Sequence, residues 1–183
     1  MFCASQLSSV EGCAVQTYSV VQARQSFLDV DVVESMKKLH STSEYRLFGS
    51  RADLGFLHKL GHNLAFYLLS SGIPFVCIKA TGIFPFLQNR WMIDMFRQHF
   101  GESRPQLDSP FYRFEPEEAE PLAFLLAALV SNFADFDAFL IDPLISIEFS
   151  HDEWIRVRAN DQTHLCEASN VFQELGCSIL SAH

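Results

Sequence analysis

His58 and His62 stand four residues apart in a stretch of helical periodicity. That spacing brings two imidazoles to one side of a helix, as zinc sites require. Hydrolytic zinc helices carry a glutamate directly after the first histidine, and here that position is Lys59. The remaining candidates, His99, His151 and His164, lie far along the chain, so no metal is expected at the pair. His164 and Cys166 could suggest a thiolate with its base, but side chains at i and i+2 on a helix diverge, and Cys166 reads as structural. Asp152 and Glu153 adjoin in a polar turn. Acid–base carboxylates need environments that pull their pKa values apart, and a turn tip solvates both alike. No glycine-rich phosphate loop, nucleophile elbow or zinc-finger spacing occurs, so the residues nominate neither a catalytic group nor a cofactor.

Charge is more informative. The 183 residues carry 13 Lys/Arg and 22 Asp/Glu, a formal net charge of −9. Residues 1–92 hold eight basic and six acidic side chains, whereas residues 93–183 hold five and sixteen. A surface this acidic disfavours direct contact with nucleic acid, where cations must replace counterions on phosphate, and with anionic membranes. It suits a basic protein partner, which a concentrated negative potential would steer. The expected function is therefore that of an inhibitor or immunity-type protein, neutralising a cationic toxin or nuclease as in toxin–antitoxin pairs. The expected contacts are Glu117, Glu118 and Glu120 at a helix start and Asp152 and Glu153 at a hairpin tip. Trp154 and Phe111 are the expected aromatic anchors, since aromatic side chains dominate interface energetics. The second expectation is a dedicated chaperone or adaptor that acts as a homodimer through its long apolar helix. The third is an enzyme whose site residues are scattered along the chain.

The elements that must position these residues follow from periodicity. The chain is 49% apolar, enough to offset ordering entropy by burial. Residues 1–13 are small and polar, and are expected to form a flexible terminus before a single α+β domain over 14–183. Five cysteines without a CxxC pair, and no basic-then-apolar leader, fit a cytoplasmic protein. The uncharged run from Pro121 to Ala134 is too short to span a bilayer. Leu54, Leu57, Leu60, Leu64 and Leu68 predict a helix from Arg51 to about Ser71 with Ser50 as its cap. Phe66 and Leu69 fall outside that stripe, so the helix has a second apolar face to cover.

A helix is also expected near Asp29–Leu39, and others over Phe84–Phe100, over Leu122–Val130 with Asp135 and Asp137 marking its exit, and after Asp161. Strands are expected at Tyr45–Phe48, Pro74–Ala80 and Phe111–Phe114. Ile145–Phe149 and Trp154–Arg158 alternate strictly about a four-residue polar turn and predict an antiparallel hairpin. The expected architecture is four to five helices on a small, mostly antiparallel sheet.

Overall fold

The computed structural model describes residues 16–18, 39, 41–46, 53–70, 75–82, 90–104, 108, 110–132, 134–140 and 145–182. The expected flexible terminus and the helix near Asp29–Leu39 lie outside these residues, apart from Leu39 itself. The elements run in the order β1 (Gln16–Tyr18), β2 (Ser41–Arg46), α1 (Leu54–Ser70), β3 (Val76–Gly82), α2 (Arg90–His99), β4 (Phe111–Phe114), α3 (Ala119–Ser131), β5 (Asp135–Leu140), β6 (Ile145–Phe149), β7 (Trp154–Ala159), α4 (Gln162–Glu174) and β8 (Ser178–Ala182). The fold is α+β. Its sheet is larger than expected: eight strands in the order β1-β4-β3-β5-β6-β7-β2-β8, with every neighbouring pair antiparallel. Four helices occur among the described residues.

The hairpin forms as alternation dictates. Ile147 faces Val157 and Phe149 faces Ile155 across β6 and β7. Ile155, Val157 and Ala159 are buried, while Trp154, Arg156 and Arg158 stay half-buried on the opposite face. Asp135 and Asp137, expected at the exit of a helix, lie instead on a central strand, Asp135–Leu140. Phe136 and Ala138 alternate with Asp135 and Asp137, which is the period of a strand.

One row of the inner face runs Tyr45, Ile155, Phe149, Phe136 and Ala80 across five strands. Phe136 and Phe149 stack at 4.4 Å, and Phe172 of α4 closes on Tyr45 at 5.4 Å. Helices cover this face in the order α4, α1, α3, α2, with α1 against α3 the most extensive helix contact.

Local chemistry fixes the helix ends. Asp53 caps α1 by accepting from the Gly55 and Phe56 amides at 2.9 and 3.3 Å; the expected cap, Ser50, lies outside the described residues. Asp161 caps α4 through the His164 amide at 3.0 Å. Gly176 ends α4 at φ +79°, where a Cβ would be strained, and the Cys177 amide returns to the Phe172 carbonyl at 2.9 Å.

Leu60, Leu64 and Leu68 of α1 and Leu125 and Leu129 of α3 are wholly buried. Between the two helices, Gly61 lies against Ala123: a Cβ at Gly61 would stand 2.4 Å from the Ala123 carbonyl oxygen. Backbone cannot yield as a flexible side chain would. Gly61→Ala is therefore expected to destabilise the protein by about 1–3 kcal/mol through forced separation of the helices. Leu125→Ala is expected to cost about 2–5 kcal/mol through the cavity it leaves. Urea unfolding midpoints measure both, and a Gly61→Ala variant as stable as the parent refutes the close contact.

Candidate functional site

The helix layer carries the apolar surface that the fold leaves uncovered. Among the described residues seven large apolar side chains are exposed, and five of them, Leu54, Phe66, Trp91, Met95 and Phe124, lie on α1, α2 and α3. The other two are Ile179 and Leu180 on β8. Between α1 and α2 runs a groove of about 400 Å³ whose floor is α3. Leu54, Leu57, His58 and His62 line one wall, Met92 the other, and Glu120, Ala123, Phe124 and Ala127 the floor.

This geometry follows from the helical period. Leu54, His58 and His62 recur every four residues and so share one stripe of α1. Phe124 is the exposed residue of α3 beyond its first two positions. Its ring stacks on Phe96 at 5.8 Å, and Phe96 in turn meets Tyr112 and Phe114. The floor is thus anchored to the core. One end of the groove is polar: the His58 and His62 rings lie 4.2 Å apart, and His62 Nε2 is 3.7 Å from Glu120 Oε2. No group of three side chains arranged to hold a metal ion occurs among the described residues.

The opposite face of the sheet carries an internally paired polar row beside buried Cys77, Phe111 and Phe139. The register aligns Glu44, Arg156, Glu148, Asp137 and Lys79 across five strands. Arg156 donates to Glu44 at 2.7 Å and to Glu148 at 3.3 Å, and Arg158 donates to Glu148 at 2.8 Å. The Arg156 guanidinium also lies over the Trp154 ring at 4.7 Å. Asp137 is pushed up to about 6, first by burial and then by the Glu148 charge, with Lys79 and Arg158 opposing. A shallow polar hollow of about 80 Å³ lies beside it, lined by Asp135, Asp137, Glu148, Ser150 and Trp154.

The structure divides the residues expected at the contact. Glu117 and Glu120 are exposed, and Glu120 lines the groove. Glu118 is buried and accepts from the Glu115 amide at 2.8 Å, so it builds the helix start and is not contact surface. Phe111 is only 4% exposed and lies beneath the Lys79 ammonium, which removes it as an anchor. Asp152 and Glu153 are exposed at the hairpin tip, and Trp154 is half-buried under Arg156. The tip docks on the start of β5, where the His151 amide donates to Asp135 at 2.8 Å. That point lies just beyond the C-terminus of α3, whereas Glu117 and Glu120 stand at its N-terminus. The 13 residues between rise roughly 20 Å, so the two acidic clusters occupy opposite ends of the molecule.

The cysteines and histidines form no nucleophilic pair. The His164 ring turns to the Asp161 carboxylate at 2.5 Å, while exposed Cys166 takes Gln162 at 3.6 Å. Burial raises the thiols of Cys77 and Cys177, the latter to about 11, which keeps both protonated and unreactive near neutral pH. Leu54, Trp91 and Met95 are exposed apolar residues that the sequence reading missed; the i, i+4 placing of Trp91 and Met95 was the available signal.

Compared with protein-family models, with curated proteins and with solved structures, the chain matches none. Function is therefore argued from geometry.

The raised Asp137 carboxyl makes a pH prediction. It binds its proton more tightly in the folded than in the unfolded chain, so its stabilising effect is complete below about pH 4 and lost as pH rises through about 6. Asp137→Asn keeps the shape and removes the titration. The variant is expected to lose up to ~3 kcal/mol of pH dependence between pH ~4 and ~7. Urea midpoints at each pH check this; an unchanged slope refutes it.

Proposed function

We propose that the chain is a protein-binding inhibitor of the immunity type that seats an amphipathic helix of a basic partner in the groove between α1 and α2. The observation that carries this reading is the concentration of exposed apolar side chains: among the described residues, five of the seven large ones lie on the three helices that build the groove. Helical ligands dock apolar anchors at i, i+3, i+4 and i+7 into such grooves. Phe124 lies on the floor of the groove, and Trp91 and Met95 are exposed on α2, the helix that gives its second wall.

The acidic end decides what charge the partner brings. Glu117 and Glu120 stand where α3 begins, Glu120 with its side chain 81% exposed. A basic residue near one end of the docked helix would find them. The overall charge of −9 steers the same partner from a distance and rejects acidic ones. The hairpin tip, at the far end of α3, takes no part in this contact.

The test uses affinity capture from the native host, repeated with variants. Trp91→Ala and Phe124→Asp are expected to weaken a captured basic protein by about 30-fold or more, as loss of a central anchor does. Glu117→Lys with Glu120→Lys is expected to slow association about tenfold at low salt, the difference shrinking as salt rises. Asp152→Lys with Glu153→Lys should leave association within about twofold after correction for net charge. A partner that the groove variants retain at full affinity, or one that is acidic, overturns the reading.

A further inference from the structure

We infer that His58 and His62 make the groove a pH-gated site, which holds a basic helix near neutral pH and releases it on acidification. The inference rests on the docking mode proposed above and adds its regulation. Histidine is the side chain whose charge ordinarily changes between about pH 5 and 8. Here two of them line one wall, their rings 4.2 Å apart, at the end of the groove where a basic residue would dock.

The surroundings set the sign of the effect. From α3, Glu120 faces the pair, its Oε2 3.7 Å from His62 Nε2, and Glu117 stands exposed just before that helix. From α2 the groove receives Met92, an uncharged side chain. On the flank of α1 towards α4, Lys59 donates to the Glu174 carbonyl at 3.1 Å, and His164 is held by Asp161. With neutral imidazoles, the groove end therefore carries the charge of its carboxylates alone. An imidazolium at His62 takes Glu120 as its own ion pair, and one at His58 adds a second positive charge beside it. Protonation thus occupies the carboxylate that a lysine or arginine of the partner would engage, and then sets like charge against that residue.

Asp137 titrates over part of the same range, but from the opposite face of the sheet. At physiological salt its field is screened over about 8 Å, so the histidines at the groove dominate what a docked helix senses.

Fluorescence anisotropy on the full chain at about 0.15 M salt tests the inference. The probe is a labelled amphipathic peptide with leucines at i, i+3, i+4 and i+7 and lysines at one end, whose own charge is constant over the range used. Its affinity is expected to fall about tenfold between pH ~7.5 and ~5.5, with unchanged circular dichroism of the protein. In the double variant His58→Gln with His62→Gln, the ratio of the two affinities should shrink to within about twofold; a change common to both pH values cancels in that ratio. Anilinonaphthalene sulfonate, an apolar anion, gives a readout of opposite sign: it should bind the wild type more tightly at the acid pH and lose that preference in the double variant. If acidification leaves the affinity for either probe unchanged, or if the double variant keeps the response, the inference is overturned. The docking mode then still stands, provided that Phe124→Asp abolishes peptide binding. A peptide that does not bind at pH ~7.5 overturns both.

Discussion

The backbones of α1 and α3 meet at Gly61, where hydrogen stands in place of the Cβ that would strike the Ala123 carbonyl. That approach draws two apolar helices into one layer and lets Leu60, Leu64, Leu125 and Leu129 bury completely over the sheet. It also sets the depth of the groove. With α1 held low against α3, its next stripe of residues, Leu54, His58 and His62, stands as a wall above Phe124. A wider crossing would flatten that wall. The groove is thus a by-product of a packing contact one residue wide.

The two faces of the sheet solve different problems. The inner face buries aromatic and branched side chains in rows that cross five strands. The outer face places charges in rows of the same length, and the register alternates them so that Arg156 meets both Glu44 and Glu148. Half-exposed ion pairs contribute little stability each, typically ~0.2–1 kcal/mol. Their larger effect is on register: sliding β7 by one residue would send Arg156 to the apolar side and Val157 to the polar one.

Sequence alone made some elements plain and hid others for physical reasons. The β6–β7 hairpin was legible because alternation, a local signal, ran unbroken on both sides of a polar turn. Asp135–Leu140 followed an all-apolar helix, and its two aspartates looked like a helix exit; only the pairing of Phe136 with Phe149 and Ala80 makes it a strand. Ser178–Ala182 is too short and too bland to declare itself. The second apolar face of α1 was visible in Phe66 and Leu69, but the groove was not, since its walls and floor come from three helices separated by long stretches of chain. Phe111 and Glu118 show the converse error. Residue type suggested contact, yet cross-strand and cap geometry had already used both.

The place of β2 in the sheet has a consequence for how the chain is made. β2 lies between β7 and β8, and its neighbours are translated long after it: Arg46 pairs with Trp154, 108 residues later, and with Ser178. At ~5–20 residues per second, a nascent β2 waits on the order of 5–20 s for its first partner. Until then its hydrogen-bonding groups face solvent or whatever protein is at hand. Meanwhile β3, β4 and β5 can assemble with α1 and α3 above them. α4 carries the chain from β7 to β8 past the place that β2 fills, so this side of the sheet is complete only after the last strand has been made. Maturation of this molecule is therefore ordered by its topology, and the early segment is the one most dependent on protection during synthesis.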